Sequence, residues 1–103
     1  MAGSQRMFKD PFDHERHVAF LRSRSQAAYR NEPWEITLEE FFKIWHDPEV
    51  WNNRGRSSDS WALTRKNVHK PWSYKNVQLL RRKEQLELSR QRSYCERHGL
   101  KYV

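Results

Sequence analysis

The sequence predicts a small α+β domain in which two N-terminal helices precede a β-hairpin and a long C-terminal helix. Three observations lead there: helix-start signals at Asp10-Pro11 and at Thr37, two short alternating segments on either side of Pro71, and a stretch from Arg81 to His98 that holds neither Pro nor Gly. With 103 residues there is room for one modest core, and five Trp, five Phe and four Tyr place that core on a few large rings.

Residues 1–10 read as a loose, polar leader, and residues 11–103 as one domain. Asp10 is the expected N-cap of the first helix, because Pro11 lacks an N–H that a first-turn position would leave unpaired anyway, and Asp13 and Glu15 suit the positive helix end. The helix is expected to run to about residue 30, with Phe12, His17, Val18, Phe20, Leu21, Ala27, Ala28 and Tyr29 forming an imperfect apolar stripe. Asn31-Glu32-Pro33 stops it, since the residue before proline avoids helical angles.

Thr37-Leu38-Glu39-Glu40 is a capping box, and the helix it starts carries Leu38, Phe41, Phe42 and Trp45 at spacings of three and four. His46-Asp47-Pro48 ends that helix, and Glu49-Val50-Trp51 makes one further turn. Asn52 to Ser58 is then a basic, turn-rich loop with Gly55 at positive φ. Trp61 to Arg65 is strand-sized, Lys66 to Trp72 a loop closed by Pro71, and Ser73 to Leu80 a turn followed by a short second strand with Val77 and Leu79 on one face. The C-terminal helix follows, and Gly99 stands at its C′ position.

Charge is uneven along the chain. Residues 1–53 hold 7 Lys/Arg against 9 Asp/Glu, and residues 54–103 hold 13 against 4, within a net charge of +7. Attraction to a polyanion therefore belongs to the second half, where nucleic acid is the natural partner; plain solubility is the other use of such a surface. Cys95 is the sole cysteine, which excludes an intrachain disulfide and a Cys-x-x-Cys zinc knuckle. The sequence has neither an apolar run of membrane length nor a signal-peptide core, so no membrane association and a cytoplasmic location are expected.

The ordered set Leu63-Thr64-Arg65, Pro71 to Leu80 and Glu84-Gln85 resembles the HNH endonuclease finger, the ββα-metal or His-Me type, and is most similar to small phage-encoded members. Such fingers have a strand ending in Asp-His, an Asn opening the second strand, and an Asn or His nine residues later; here Asn76 is followed nine residues later by Gln85. The resemblance covers roughly residues 38–92. It implies a ββα-metal-like finger over 54–103 on a helical support over 11–53.

By the same resemblance, Arg65 occupies the place of the general-base histidine, Thr64 that of the usual Asp, and Gln85 that of a metal-binding Asn or His. A guanidinium has no acceptor and stays protonated, so it cannot take a proton from water and repels a cation. Position-equivalent catalytic residues are thus Arg65, His69, Asn76 and Gln85, with His69 as a stand-in base in the loop; Asp59 and Gln85 are the candidate metal ligands. The matching role of Asn76 is architectural, tying the loop to the strand.

Phosphate contacts need only charge and donors. The candidate DNA-binding residues are Arg54, Arg56, Arg65, Lys66, Lys70, Lys75, Arg81, Arg82, Lys83 and Arg90, with Trp72 as a base-stacking ring or a loop-packing one. The expected function is a phage-encoded, catalytically degenerate DNA-binding protein without a cofactor. The alternatives are an Mg2+- or Mn2+-dependent nicking or homing endonuclease with a variant site, and a phage protein that binds and inhibits a host protein.

Overall fold

The computed structural model describes residues 8–101 and is α+β: three helices, a two-stranded antiparallel hairpin and a C-terminal helix. Helix α1 spans Pro11–Tyr29, α2 Leu38–Ile44 and α3 Pro48–Asn52; strands β1 and β2 span Trp61–Arg65 and Val77–Arg81; helix α4 spans Arg82–Arg97. Two helices were expected ahead of the hairpin and three are present. The third is α3, which extends the further turn expected at Glu49-Val50-Trp51: Pro48 sits in its first turn and the Asp47 carboxylate accepts the Glu49 amide at 2.9 Å, so the segment 48–52 meets the same start conditions as α1 on a smaller scale.

Local chemistry sets the other boundaries. Asp10 accepts the amides of Phe12 at 2.8 Å and Asp13 at 3.4 Å. At the far end of α1, Arg30 is the C-cap, and Asn31 takes the left-handed conformation at φ 60°, which Asn tolerates better than most residues. The capping box at Thr37 is complete: the Thr37 hydroxyl accepts the Glu40 amide at 3.1 Å and the Glu40 carboxylate accepts the Thr37 amide at 2.9 Å. Gly99 follows α4 at φ 67°, the C′ position foreseen for it.

The core is aromatic. Phe20, Ile36, Phe41, Trp45, Trp51 and Val77 are buried together, with Trp51 only 1% exposed and its ring 5.4 Å from that of Trp45. The apolar stripe read along α1 is corrected at two places. Leu21, Ala28 and Tyr29 face solvent, Tyr29 at 90% exposure, whereas Arg16 is buried. Arg16 Nη1 donates to the carbonyls of Phe42 at 3.1 Å and Trp45 at 3.2 Å, Nη2 pairs with Asp13, and the Phe12 and Phe42 rings lie 3.9 and 4.2 Å from the guanidinium carbon. A long cationic side chain is thus accommodated inside, because its Nη1 satisfies carbonyls that the end of α2 leaves free and its Nη2 meets Asp13.

In the hairpin Trp61 pairs with Arg81, Leu63 with Leu79 and Arg65 with Val77. Leu63, Val77 and Leu79 lie on one face of the ribbon and pack with the helical core; Thr64, on the other face, bonds to Gln85 of α4. The leader up to residue 7 lies outside the described residues; Phe8 packs 5.3 Å from His17 and 5.5 Å from Phe42. The molecule is elongated, 57 × 28 × 22 Å, and no residue of α4 is buried. Among the described residues no helix is long and apolar enough to cross a membrane.

Candidate nucleic-acid interface

Strand β1 lines a cleft of about 720 Å³ whose walls come from the C-terminal half of α1, the loop 54–56 and α4. The charged residues on its lining are Arg30, Glu32, Arg54, Arg56, Arg65, Arg82 and Arg92, six arginines against one carboxylate. All five tryptophans also line it, Trp45 and Trp51 buried at its floor and Trp34, Trp61 and Trp72 half-buried.

Arg65 ends β1, and its place is fixed by long-range partners. Nη2 lies 3.0 Å from Glu32 Oε2, Nη1 donates to the Lys70 carbonyl at 3.1 Å, and the guanidinium carbon is 5.1 Å from the Trp72 ring centre. Glu32 Oε1 accepts the Trp72 indole N–H at 3.1 Å, so both oxygens of the cleft's one carboxylate are occupied. Trp72 packs 5.9 Å from Trp34 and exchanges backbone bonds with Pro33 and Glu35.

A second network spans the side opposite the core. Arg82 Nε donates to the Gly55 carbonyl at 2.8 Å and Nη1 to Gln85 Oε1 at 2.9 Å; Gln85 Nε2 donates to Thr64 Oγ1 at 3.0 Å. The only oxygen Gln85 offers is therefore held against a guanidinium. The other candidate metal ligand, Asp59, is on the exposed surface off the cleft, 3.0 Å from Lys83 Nζ, and that ammonium's hydrogen bond, then its charge, holds the carboxyl below its ordinary value. The two proposed metal ligands do not share a site. Among the described residues no three His, Cys, Asp or Glu side chains gather as a metal would require. The residues present do not fit Mg2+ or Mn2+, which call for anionic oxygen donors.

Asn76 is the anchor of the hairpin loop. Its Oδ1 accepts the Asn67 amide at 3.0 Å, and Nδ2 donates to the carbonyls of Asn67 at 2.9 Å and Pro71 at 2.8 Å, with Lys70 O further off at 3.4 Å. The loop it holds presents Lys66, His69 and Lys70, all exposed and none on the cleft lining; Lys75, Arg81, Lys83 and Arg90 likewise lie outside that lining. The cleft brings together Arg54, Arg56, Arg65, Trp72, Arg82 and Gln85 from the sequence-derived set.

Arg54 stacks on Trp51 at 3.5 Å and donates to the Trp51 carbonyl at 3.3 Å. Partial burial lowers its pKa against the opposing pull of Glu15, yet an arginine stays charged at any accessible pH. The N-terminus of α4 contributes no anion site: the amides of Arg82 and Lys83 already bond to the carbonyls of Ser60 and Ser58 at 2.8 and 2.9 Å, and Glu84 caps the Arg81 amide at 3.0 Å. The cleft's positive character thus comes from side chains.

Arg30 and Glu32 belong to the site although sequence reasoning placed neither there. Counting charge by halves assigned polyanion attraction to residues beyond 53, and that concealed a cation at the end of α1. No family model matches the chain, and neither a curated protein nor a solved structure matches it.

Proposed function

We propose that this chain is a DNA-binding protein of the small phage-encoded HNH-like type, acting in the host cytoplasm, whose site grips phosphates without hydrolysing them. One observation carries the reading: the cleft offers six arginines and one carboxylate, and that carboxylate is bound at both oxygens. Arginine suits phosphate, since its planar donors match two oxygens at once and its charge survives at any cellular pH. Hydrolysis needs in addition a group that accepts a proton from water, or a metal to acidify it. Arg65 cannot accept one, and the Gln85 oxygen faces Arg82.

The loop anchor at Asn76 and the Gln85–Thr64 contact across β1 and α4 support an HNH-like origin for this arrangement, because they join the residues that carry the resemblance. Arg30, Arg54, Arg56 and Arg82 line the cleft outside the Glu32 pair, and if each neutralises one phosphate the logarithm of the binding constant falls against that of salt with a slope of about 3 to 4 in magnitude. Anisotropy titrations of labelled DNA over a salt series measure that slope. Absence of binding at low salt, or binding indifferent to salt, would refute the proposal.

A further inference from the structure

We infer that the cleft along β1 takes a single DNA strand in preference to a duplex, with Arg30 and Arg56 as the phosphate grips on its rims and indole rings beneath the bases. The inference rests on the DNA-binding reading above and deepens it. Arg30 closes α1 and Arg56 lies in the loop ahead of β1; both are exposed, both line the cleft, and among the described residues neither is paired with a carboxylate. They come from two separate elements, the end of α1 and the loop ahead of β1, so a strand lying in the cleft meets positive charge from both.

The walls distinguish between the two forms of DNA. Half-buried Trp34, Trp61 and Trp72 stand among the arginines, and an aromatic wall is of use only to a base with an open face. A duplex keeps its bases stacked on each other and presents edges and phosphates. One ring-to-base contact is worth about five- to hundredfold in affinity. Backbone dipoles at a helix start, the usual alternative for holding phosphate, are already spent at α4 on Ser58 and Ser60.

Because every tryptophan of the chain lines the cleft, intrinsic fluorescence reports its occupancy. The test titrates the full chain with an oligothymidylate of about ten nucleotides, with a hairpin duplex of similar charge, and with inorganic polyphosphate, which has no bases. The inference predicts that the single strand quenches the tryptophans and binds about tenfold or more tightly than the duplex. Arg30→Ala and Arg56→Ala should each weaken it about fivefold and lower the salt slope by about 0.7 to 1. Lys43→Ala, which removes the same charge from an exposed site on α2, should leave it unchanged.

A duplex bound as well as the single strand, or polyphosphate bound as tightly as the oligothymidylate, overturns the inference while DNA binding stands. Binding of neither DNA at low salt overturns both. Unaltered single-strand affinity in Arg30→Ala and Arg56→Ala, with circular dichroism unchanged, rules out this cleft as the place.

Discussion

Replacing Glu32 by Gln probes how the site is held in shape. The carboxylate links the end of α1 to both ends of the hairpin loop, through Arg65 at 3.0 Å and the Trp72 indole at 3.1 Å. The Arg65 and Glu32 side chains are 12% and 24% exposed, so the pair lies between two known regimes. Exposed pairs contribute about 0 to 1 kcal/mol, and removing one partner of a fully buried pair costs about 3 to 5 kcal/mol. Glu32→Gln keeps one acceptor oxygen and leaves Arg65 without a counter-charge, which sets the loss at about 2 kcal/mol. For a domain of this size that is a fall in Tm of about 8 to 15 °C. Thermal and urea unfolding followed by tryptophan fluorescence, on Glu32→Gln, Arg65→Met and the double variant, measure it. The double variant should cost about 1 kcal/mol less than the two single changes together. A Tm within about 2 °C of the parent, or strictly additive losses, would refute the linkage.

Thr37→Ala removes the hydroxyl half of a complete capping box and should cost about 1 kcal/mol in urea unfolding, with Thr37→Ser restoring most of it. Asn76→Ala frees the Asn67 amide and strips the Asn67 and Pro71 carbonyls of their donor, for a loss of about 2 to 3 kcal/mol. Hydrogen exchange at Asn67 should accelerate along with it, and continued protection there would contradict the assigned role. The Asp59 carboxyl, held low by Lys83, contributes stability that is present above its ordinary titration range and fades as pH falls through the lowered value. Carboxyl NMR should place the Asp59 midpoint below that of an ordinary aspartate, and Lys83→Met should raise it; a midpoint that does not move denies the pairing.

What could be foreseen from the chain divides by distance along it. Asp10, the Thr37–Glu40 box, β1 and Gly99 fall where they were expected, because each depends on residues within one turn or one strand. The pairing of the two strands as a hairpin was expected as well, but the register, Trp61 with Arg81 through Arg65 with Val77, comes from the structure. Contacts across the fold were not legible. Arg16 reads as a surface cation of an amphipathic helix, and only the carbonyls 26 and 29 residues later explain its burial. Glu32 reads as the residue before a proline, and its role arises from Arg65, 33 residues on, and Trp72, 40 on. Arg30 was hidden in the same way, in a half of the chain whose charges nearly cancel.

The candidate site was half legible. Arg65 and Gln85 are singled out by the resemblance, and the chemistry they cannot perform then follows from their donor and acceptor inventories. Their partners do not follow from it. Thr64 and Arg82 engage Gln85 from β1 and from the first turn of α4, and Gly55 closes the network from a loop whose path the sequence leaves open. Lys66, Lys70 and Lys75 belong to the basic finger by composition, yet the cleft is lined by arginine alone among the basic side chains.

The most direct test incubates supercoiled plasmid with the full chain, at concentrations that retard it on a gel, in Mg2+ or Mn2+ and in parallel with a chelator. A grip without a proton acceptor predicts that the plasmid is bound and stays supercoiled in every lane. Chelator-sensitive open circles that are lost in Gln85→Ala would contradict it, for they would mean that this oxygen serves a metal instead of Arg82.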